Sequence, residues 1–533
     1  MPHAITLRDL GVLLAIWGLA TLIDLDKPFH VDDPFHVEMA QWVQEHPGHP
    51  LSGTINWGGG RVPMHHGNQP PGFFYVLAAV GSVFGYTERT MHLARALFSL
   101  IAIVCFHRLA RSRKAGHPWQ LTALFAWGPA FLVNQGVMID VPLVALHLLF
   151  FDLVLIPRSR PVLQHAMAGA VLAIAFFFKY STLPLLLLYP LILLIRQERR
   201  DLWAAAIPVV TIGLWCVWNL NEFGAVHLLQ RGSAEQAPLL ERGVAWLTTS
   251  GAIAAFVPAV LCGSFGILRE RATAICIVLL LSCCTFSYAV YREVIPMDTS
   301  DSILLVLFTT NGSLLLLVPW YALRRAHDRT DLSLILWTGA MVFFPLLFAP
   351  FMATRHILLA LPPFLLLAAP AFDRLSRSAR MMTLVSTAGL GCALSFSDRI
   401  YAEYYRDQAR DLASELKGRG RMWSVGHWGW HWYSEQEGML VYPDDPDAGF
   451  GPAPGDLVLI ATATHKQELD PDLRTEPLVD RYQFPRLGDF FHTGRHASLF
   501  TSNFGQLPWR LNTAPGNRIT VRRITAVGPD AER

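Results

Sequence analysis

The stretch LRDLGVLLAIWGLATLI (Leu7–Ile23), followed shortly by HVDDPFH (His30–His36), sets the reading of the whole chain. The first part is an apolar run close to the length a helix needs to cross the ~30 Å hydrocarbon core of a bilayer, about 20 residues, or fewer if flanking side chains reach the headgroups. It lacks a strongly basic start and an obvious small-residue cleavage site, so it reads as a retained first helix and not a leader. The second part places two adjacent carboxylates, Asp32 and Asp33, just beyond that helix.

Runs of the same kind recur along the chain. By the length criterion about thirteen candidate spans are expected, near 7–24, 91–109, 119–136, 140–156, 163–178, 181–195, 202–220, 244–267, 273–290, 303–323, 332–349, 356–372 and 381–397. The run from Pro71 to Gly85 is also apolar, but it is short and bounded by polar turns, which predicts a helix lying at the interface. Composition agrees: of 533 residues 52% are hydrophobic and only 16% charged, against roughly 25% charged in soluble domains. From Asp398 to Arg533 the pattern changes to that of a soluble domain. It opens with a charged helical stretch, Tyr401 to Lys417, and continues with strand-like pieces at Met422–Val425 and Leu457–Ala461 between Pro- and Gly-rich turns. The expected architecture is a polytopic all-α membrane domain over residues 1–397, with a first outer loop at 26–90 holding interfacial helices. A small soluble α/β domain over 398–533 completes it.

A net charge of +2 and the lack of a basic run interleaved with aromatics exclude a nucleic-acid partner. All seven cysteines sit in apolar runs with no spacing suited to a disulfide framework or a metal cage, and read as small packing residues. No ligand spacing demands a metal, although a divalent ion could assist the chemistry.

Lys and Arg concentrate in short cytoplasmic loops, which gives a separate test of the spans. With the N-terminus inside, alternate loops hold Arg108, Arg111, Arg113 and Lys114, then Arg158 and Arg160, then Arg196, Arg199 and Arg200. Arg269 and Arg271, then Arg324, Arg325 and Arg329, then Arg374, Arg377 and Arg380 continue the series. An odd number of spans puts the C-terminal domain outside, as expected for a bacterial inner-membrane protein with a periplasmic domain.

That topology sorts the polar residues at helix ends. Asp32 and Asp33, His65 and His66 with Gln69, Asp140 at the start of one span, Lys179 at the end of the next, and Arg355 with His356 at the start of the twelfth all fall on the outer face. Each has a plainer reading: Asp140 as a helix cap, Lys179 as a snorkelling side chain, Arg355 as a partner of lipid phosphate, and Asp32-Asp33-Pro34 as a solvated helix start.

Together these pieces resemble the GT-C glycosyltransferases, in the branch of the protein O-mannosyltransferases and the aminoarabinose transferase that modifies lipid A. Val31-Asp32-Asp33-Pro34-Phe35-His36 is similar to the acidic first-loop signature, and Gln69-Pro70-Pro71, Phe84-Gly85 and Arg95 to the segments that follow it. Asp140-Val141-Pro142-Leu143, Phe178-Lys179-Tyr180-Ser181 and Thr354-Arg355-His356-Ile357-Leu358 resemble later motifs, in order, through about residue 373. Gln69 stands where relatives often have Lys or His, and His356 where they often have Tyr. Gly426-His427-Trp428-Gly429-Trp430 is similar to an aromatic segment in outer domains of related bacterial proteins.

The resemblance implies transfer of a sugar from a polyprenyl phosphate to a protein, glycolipid or polysaccharide acceptor, with Asp32 as base and Asp33 as the second acid. On chemical grounds Lys179, Arg355 and His356 suit the lipid phosphate, Asp140 suits ordering of acceptor or base, and His65, His66, Gln69 and Tyr180 suit substrate contacts. Attack opposite the phosphate would invert the anomeric carbon. A transporter, or a non-catalytic envelope-assembly protein, is the alternative of another class. Charges gathered at one end and not at the midplane speak against transport.

Overall fold

The computed structural model describes residues 6–57, 60–67, 69–230, 237–254, 281, 284–285, 288, 299–325, 328–443, 451–464, 466–483, 491–492, 497–511 and 516–527. Its first helix, α1 (Leu7–Leu22), starts at a capping box in which Thr6 and Asp9 satisfy each other's backbone N–H groups. Helix α2 (Asp33–Glu45) starts with Pro34 in its first turn, where the missing N–H costs nothing. A hairpin of β1 (Thr54–Trp57) and β2 (Gly60–Pro63) follows, then α3 (Gly72–Phe84), which ends at Gly85 with φ +79°. The bundle continues with α4 (Glu88–Ser112), α5 (Pro118–Ala126), α6 (Pro129–Leu132), α7 (Asp140–Leu155), α8 (Pro161–Phe178), α9 (Leu183–Ile195), α10 (Ala206–Phe223), α11 (His227–Gln230) and α12 (Leu239–Ile253). After it come α13 (Thr299–Leu315), α14 (Leu317–Arg325), α15 (Arg329–Phe348), α16 (Thr354–Asp373), α17 (Arg377–Glu415) and the short α18 (Gly429–Gln436).

Among the described residues seven helices are long and apolar enough to cross a membrane: Glu88–Ser112, Pro161–Phe178, Arg199–Phe223, Asp301–Pro319, Arg329–Phe348, Thr354–Asp373 and Arg377–Glu415. Gly72–Phe84 and Tyr180–Ile195 are apolar but shorter. The expected span 119–136 is not one helix. Gly128 before Pro129 is extended (φ −71°, ψ 152°), as the proline ring requires of its predecessor, and splits the run into α5 and α6. Most of the expected span 273–290, the second half of 244–267, and Arg269 and Arg271 lie outside the described residues.

Helix α16 is the axis of the bundle. Nearly every residue from Ile357 to Ala369 is buried, packed among α4, α5, α6, α7, α12 and α15. Helix α17 has 39 residues, about 58 Å at 1.5 Å per residue. That is longer than any bilayer core, so it runs out of the apolar region and carries the C-terminal sheet. The change of composition at residues 397–398 therefore falls inside one continuous helix.

The sheet has the order β4-β3-β5-β9-β6, where β3 is Met422–Val425, β4 Leu440–Val441, β5 Leu457–Ala461, β6 Arg474–Tyr482 and β9 Arg518–Ala526, while β7 (Phe491–His492) and β8 (Arg510–Leu511) pair separately. β3 is parallel to β4 and β5, and β9 is antiparallel to β5 and β6. β5 is buried along its whole length, which accounts for its continuous apolar sequence.

The C-terminal part of the chain is tied to its start by buried contacts of α17 and α18. Lys27 pairs with Asp398 at full burial, and His30 Nε2 lies 2.9 Å from the other Asp398 oxygen. Tyr433 Oη accepts the Phe29 N–H at 2.8 Å and donates to Glu88 Oε1 at 2.9 Å. At the opposite end of the bundle, Arg108 Nε reaches Asp152 at 2.8 Å, Arg158 pairs with the same carboxylate, and Arg111 reaches Asp9 at 3.0 Å.

Candidate active site

Four charged side chains from distant parts of the sequence meet at the end of the bundle that faces the sheet. Asp32 occupies the cap position of α2 and directs its carboxylate to Arg355 Nη1 at 2.9 Å. Arg355 stands in the first turn of α16, with its guanidinium 5.4 Å above the Phe351 ring. Lys179 ends α8 and donates to Asp140 Oδ1 at 2.7 Å, and Asp140 opens α7. The Asp140 carboxylate also feels Arg355 and His356, so acids and bases alternate through the cluster. Two carboxylates balance two cations, which makes their burial affordable.

The residue before Asp32 is Val31, held at φ +52°. A β-branched residue in the left-handed region is strained, and such strain persists only where the surroundings enforce it. Here Phe29, His30 and Lys27 are all pinned by the C-terminal part of the chain.

A cavity of about 1250 Å³ opens at the cluster, lined by Asp32, Gln69, Lys179, Tyr180, Arg355 and His356 among others. From there it runs between α9 and α15 past Leu183, Leu186, Leu187, Met341, Phe344 and Phe348. Leu187, Phe343 and Phe348 line it and are also exposed on the bundle surface. One end of the cavity is thus ionic and the other apolar and open to the side, the shape required by an amphiphile with a small charged head.

The remaining candidates separate. His66 lines the cavity, whereas His65 does not and stacks on Phe223 at 4.5 Å. Asp33 lies behind the cavity wall, buried, with Oδ2 accepting the His30 N–H at 3.1 Å. Glycine at 136 makes room for it: a Cβ there would stand 2.9 Å from Asp33 Oδ1. Burial pushes its carboxyl up to about 7 despite the nearby Lys27 ammonium. Tyr180 touches the cavity, but its hydroxyl is engaged, 2.6 Å from His227 Nδ1 and accepting Trp215 Nε1–H at 3.1 Å. His227 Nε2 in turn lies 2.9 Å from Gly67 O, which fixes the first loop to α11.

His36 was not singled out from sequence as a site residue. Its Nδ1–H donates to the Asp32 carbonyl at 2.7 Å and its Nε2 faces the Gln69 carboxamide at 3.0 Å. Burial lowers its basicity, and the ring stands between the Asp32 backbone and the Gln69 side chain. The signal was available, because residues four apart on a helix share a face. Among the described residues no group of three or more His, Cys, Asp or Glu side chains is arranged to hold a metal ion.

ArnT from Cupriavidus metallidurans, in its structure bound to undecaprenyl phosphate, superposes with a TM-score of 0.50 over 85% of this chain and 92% of its own, at 14% identity. The two chains share a fold. Residues 68–219 match the family described as dolichyl-phosphate-mannose-protein mannosyltransferase, a stretch that includes Gln69, Asp140 and Lys179. The oligosaccharyltransferase of Archaeoglobus fulgidus, in complex with Zn and sulfate, aligns with a TM-score of 0.48 at 11% identity, over 84% of this chain and 68% of that one. No curated protein sequence matches the chain.

Proposed function

We propose that this protein is an integral membrane glycosyltransferase that moves a hexosyl or pentosyl group from a polyprenyl phosphate to an acceptor hydroxyl on the extracytoplasmic side. The observation that carries the reading is the cavity itself. Lys179 and Arg355 stand at its ionic end, and an apolar channel between α9 and α15 leads from them to the bundle surface. The GT-C fold and the matched mannosyltransferase segment support the same chemistry.

In this mechanism the lipid phosphate enters between two cations that are already neutralised. Arg355 exchanges Asp32 for phosphate oxygens, a charge-assisted and bidentate interaction that repays the exchange. The exchange leaves the Asp32 carboxylate beside the anomeric carbon without its guanidinium partner. Asp32 then takes the acceptor proton as the acceptor oxygen attacks, a role that contributes ~10²- to 10⁴-fold. The C1–O bond to phosphate breaks on the opposite face, with inversion, and its electron pair goes to the phosphate oxygen under Lys179 and Arg355. Asp140 keeps Lys179 extended toward the headgroup. Asp33 acts from behind the wall by holding the turn that presents Asp32. His356 is the third phosphate-facing group and His66 and Gln69 contact substrate. In this reading the N-terminus is cytoplasmic and the C-terminal α/β part, reached along α17, is periplasmic.

The test is turnover. Purified full-length protein in lipid nanodiscs is given undecaprenyl-phosphate-linked sugars as probes, with release or transfer of the sugar measured. Failure of every such donor to bind or react overturns the reading.

A further inference from the structure

The cavity continues past the Asp32–Arg355 pair into a chamber roofed by the C-terminal part of the chain. Residues 498–503 lie along the turn that precedes α16. Thr354 N–H donates to Leu499 O at 3.0 Å, Ser502 N–H to Met352 O at 2.8 Å, and Met352 N–H to Ser502 Oγ at 3.0 Å. This places Phe500, Thr501 and Asn503 on one wall, next to Arg355. Trp57 and Trp428 line the same cavity. The Trp57 ring lies 5.1 Å from Phe35 and 6.2 Å from His427, so the β1–β2 hairpin and the turn before α18 meet there.

Trp428 is held in a strained conformation, φ +66° and ψ −144°, which residues with a side chain rarely adopt. Two glycines permit the turn. Gly426 has φ +121°, and at Gly429 a Cβ would come within 2.5 Å of Phe29 O. The turn is thus pressed against the segment that carries Asp32, and the residue strained by it is the indole that lines the chamber.

The chemistry of the walls is selective. Apart from histidines, the charged residues lining the cavity among those described are Asp32, Lys179 and Arg355, all in the ionic cluster. The chamber contributes two indoles and the neutral polar groups of Thr501 and Asn503. We propose that the chamber is an acceptor subsite for a neutral carbohydrate ring, seated on Trp428 and Trp57 with Thr501 and Asn503 at its hydroxyl edge. A pyranose has an apolar C–H face and a polar rim, which this pairing of large aromatic surface with a few placed polar groups matches. A phosphorylated acceptor would find no cation here beyond those reserved for the donor, and a basic peptide would find no acid. The inference rests on the glycosyltransferase reading: the acceptor oxygen forms the bond to C1, its proton goes to Asp32, and the donor phosphate leaves with the electrons of the broken C1–O bond.

The test is saturation-transfer NMR on the full chain in nanodiscs, with neutral trisaccharides of glucose, galactose and mannose as probes. At least one is expected to bind, and Trp428→Ala and Trp57→Ala are each expected to weaken it about tenfold or more, while Trp203→Phe, on the exposed surface elsewhere, leaves it unchanged. If Trp428→Ala does not fold, Trp57→Ala on the half-buried hairpin decides alone. Absence of trisaccharide binding, binding unchanged in the variants, or preferential binding of a Ser/Thr peptide or a phosphorylated glycolipid overturns the proposal. Sugar release from undecaprenyl-phosphate donors is measured in parallel on the unaltered protein. Saccharide binding without any release would sink the transferase reading and leave the subsite standing.

Discussion

Arg355 Nη1 lies 2.9 Å from Asp32 Oδ2, across 323 positions of sequence. The pair joins the cap of α2 to the first turn of α16, and it couples the proposed base to the proposed phosphate ligand. Each holds the other in place until a substrate separates them.

Replacing Asp32 by Asn should therefore split two properties. Transfer should fall by ~10²-fold or more, the contribution of a positioned general base. Lipid phosphate should bind at least as tightly, because the variant loses a negative charge in the cavity and Arg355 no longer has a carboxylate to leave. Sugar transfer with radiolabelled donor and equilibrium binding of undecaprenyl phosphate measure the two separately. Normal turnover would remove Asp32 from the mechanism.

For Lys179 and Asp140 a double-mutant cycle distinguishes structure from chemistry. Lys179→Met alone leaves a buried carboxylate without its nearest cation, which costs of order 3–5 kcal/mol, and Asp140→Leu alone leaves the ammonium. The double variant should regain most of that stability and still bind undecaprenyl phosphate poorly. Thermal unfolding in detergent and lipid binding give the two readouts. If the double variant binds lipid as well as the parent, Lys179 serves only to hold Asp140.

Asp33 makes stability depend on pH. Unfolded, the carboxyl loses its proton near its ordinary value of 3.8; folded, it keeps the proton up to about 7. The folded state therefore holds more protons between these limits. Stability from this group is fully present below about pH 4, declines as pH rises toward 7 and levels off above, at about 1.4 kcal/mol per unit. Asp33→Asn should flatten that decline, so the gap in unfolding temperature between variant and parent should grow from pH 5 to pH 7. An unchanged slope would show that Asp33 is ionised in the fold.

The sequence indicated which end of the bundle to inspect because membrane topology is written in length and charge. Counting spans and following the arginines places Asp32, Asp140, Lys179 and Arg355 together without any knowledge of their contacts. What it did not yield depends on geometry invisible in one dimension. Gly128-Pro129 breaks an apolar run that reads as a span, since a window average cannot register one extended residue. The Lys27–Asp398 pair and the pinning of His30 need α17 to continue past the end of the apolar sequence. A polar helix emerging from a membrane looks, in sequence, like the start of another domain. Trp428 is one of several closely spaced aromatics in sequence, and only the fold shows that it lines the same cavity as Trp57.

Tyr433→Phe tests whether the C-terminal part of the chain governs the reactive segment. The hydroxyl accepts the Phe29 N–H and donates to Glu88, and its loss leaves a buried N–H without an acceptor at ~1–3 kcal/mol. Phe29 is three residues from Asp32, and the strained Val31 between them keeps its conformation only while both sides are fixed. Relaxation of Val31 would swing Asp32 away from Arg355 and from the acceptor. We expect kcat to fall by about tenfold or more, since small displacements of a reacting group are costly. Undecaprenyl phosphate should bind at least as tightly, because Lys179 and the α9–α15 channel are untouched and Arg355 is released from Asp32. A loss of thermal stability with kcat intact would mean that the Tyr433 bond is merely an anchor, and that other contacts suffice to hold Asp32 in place.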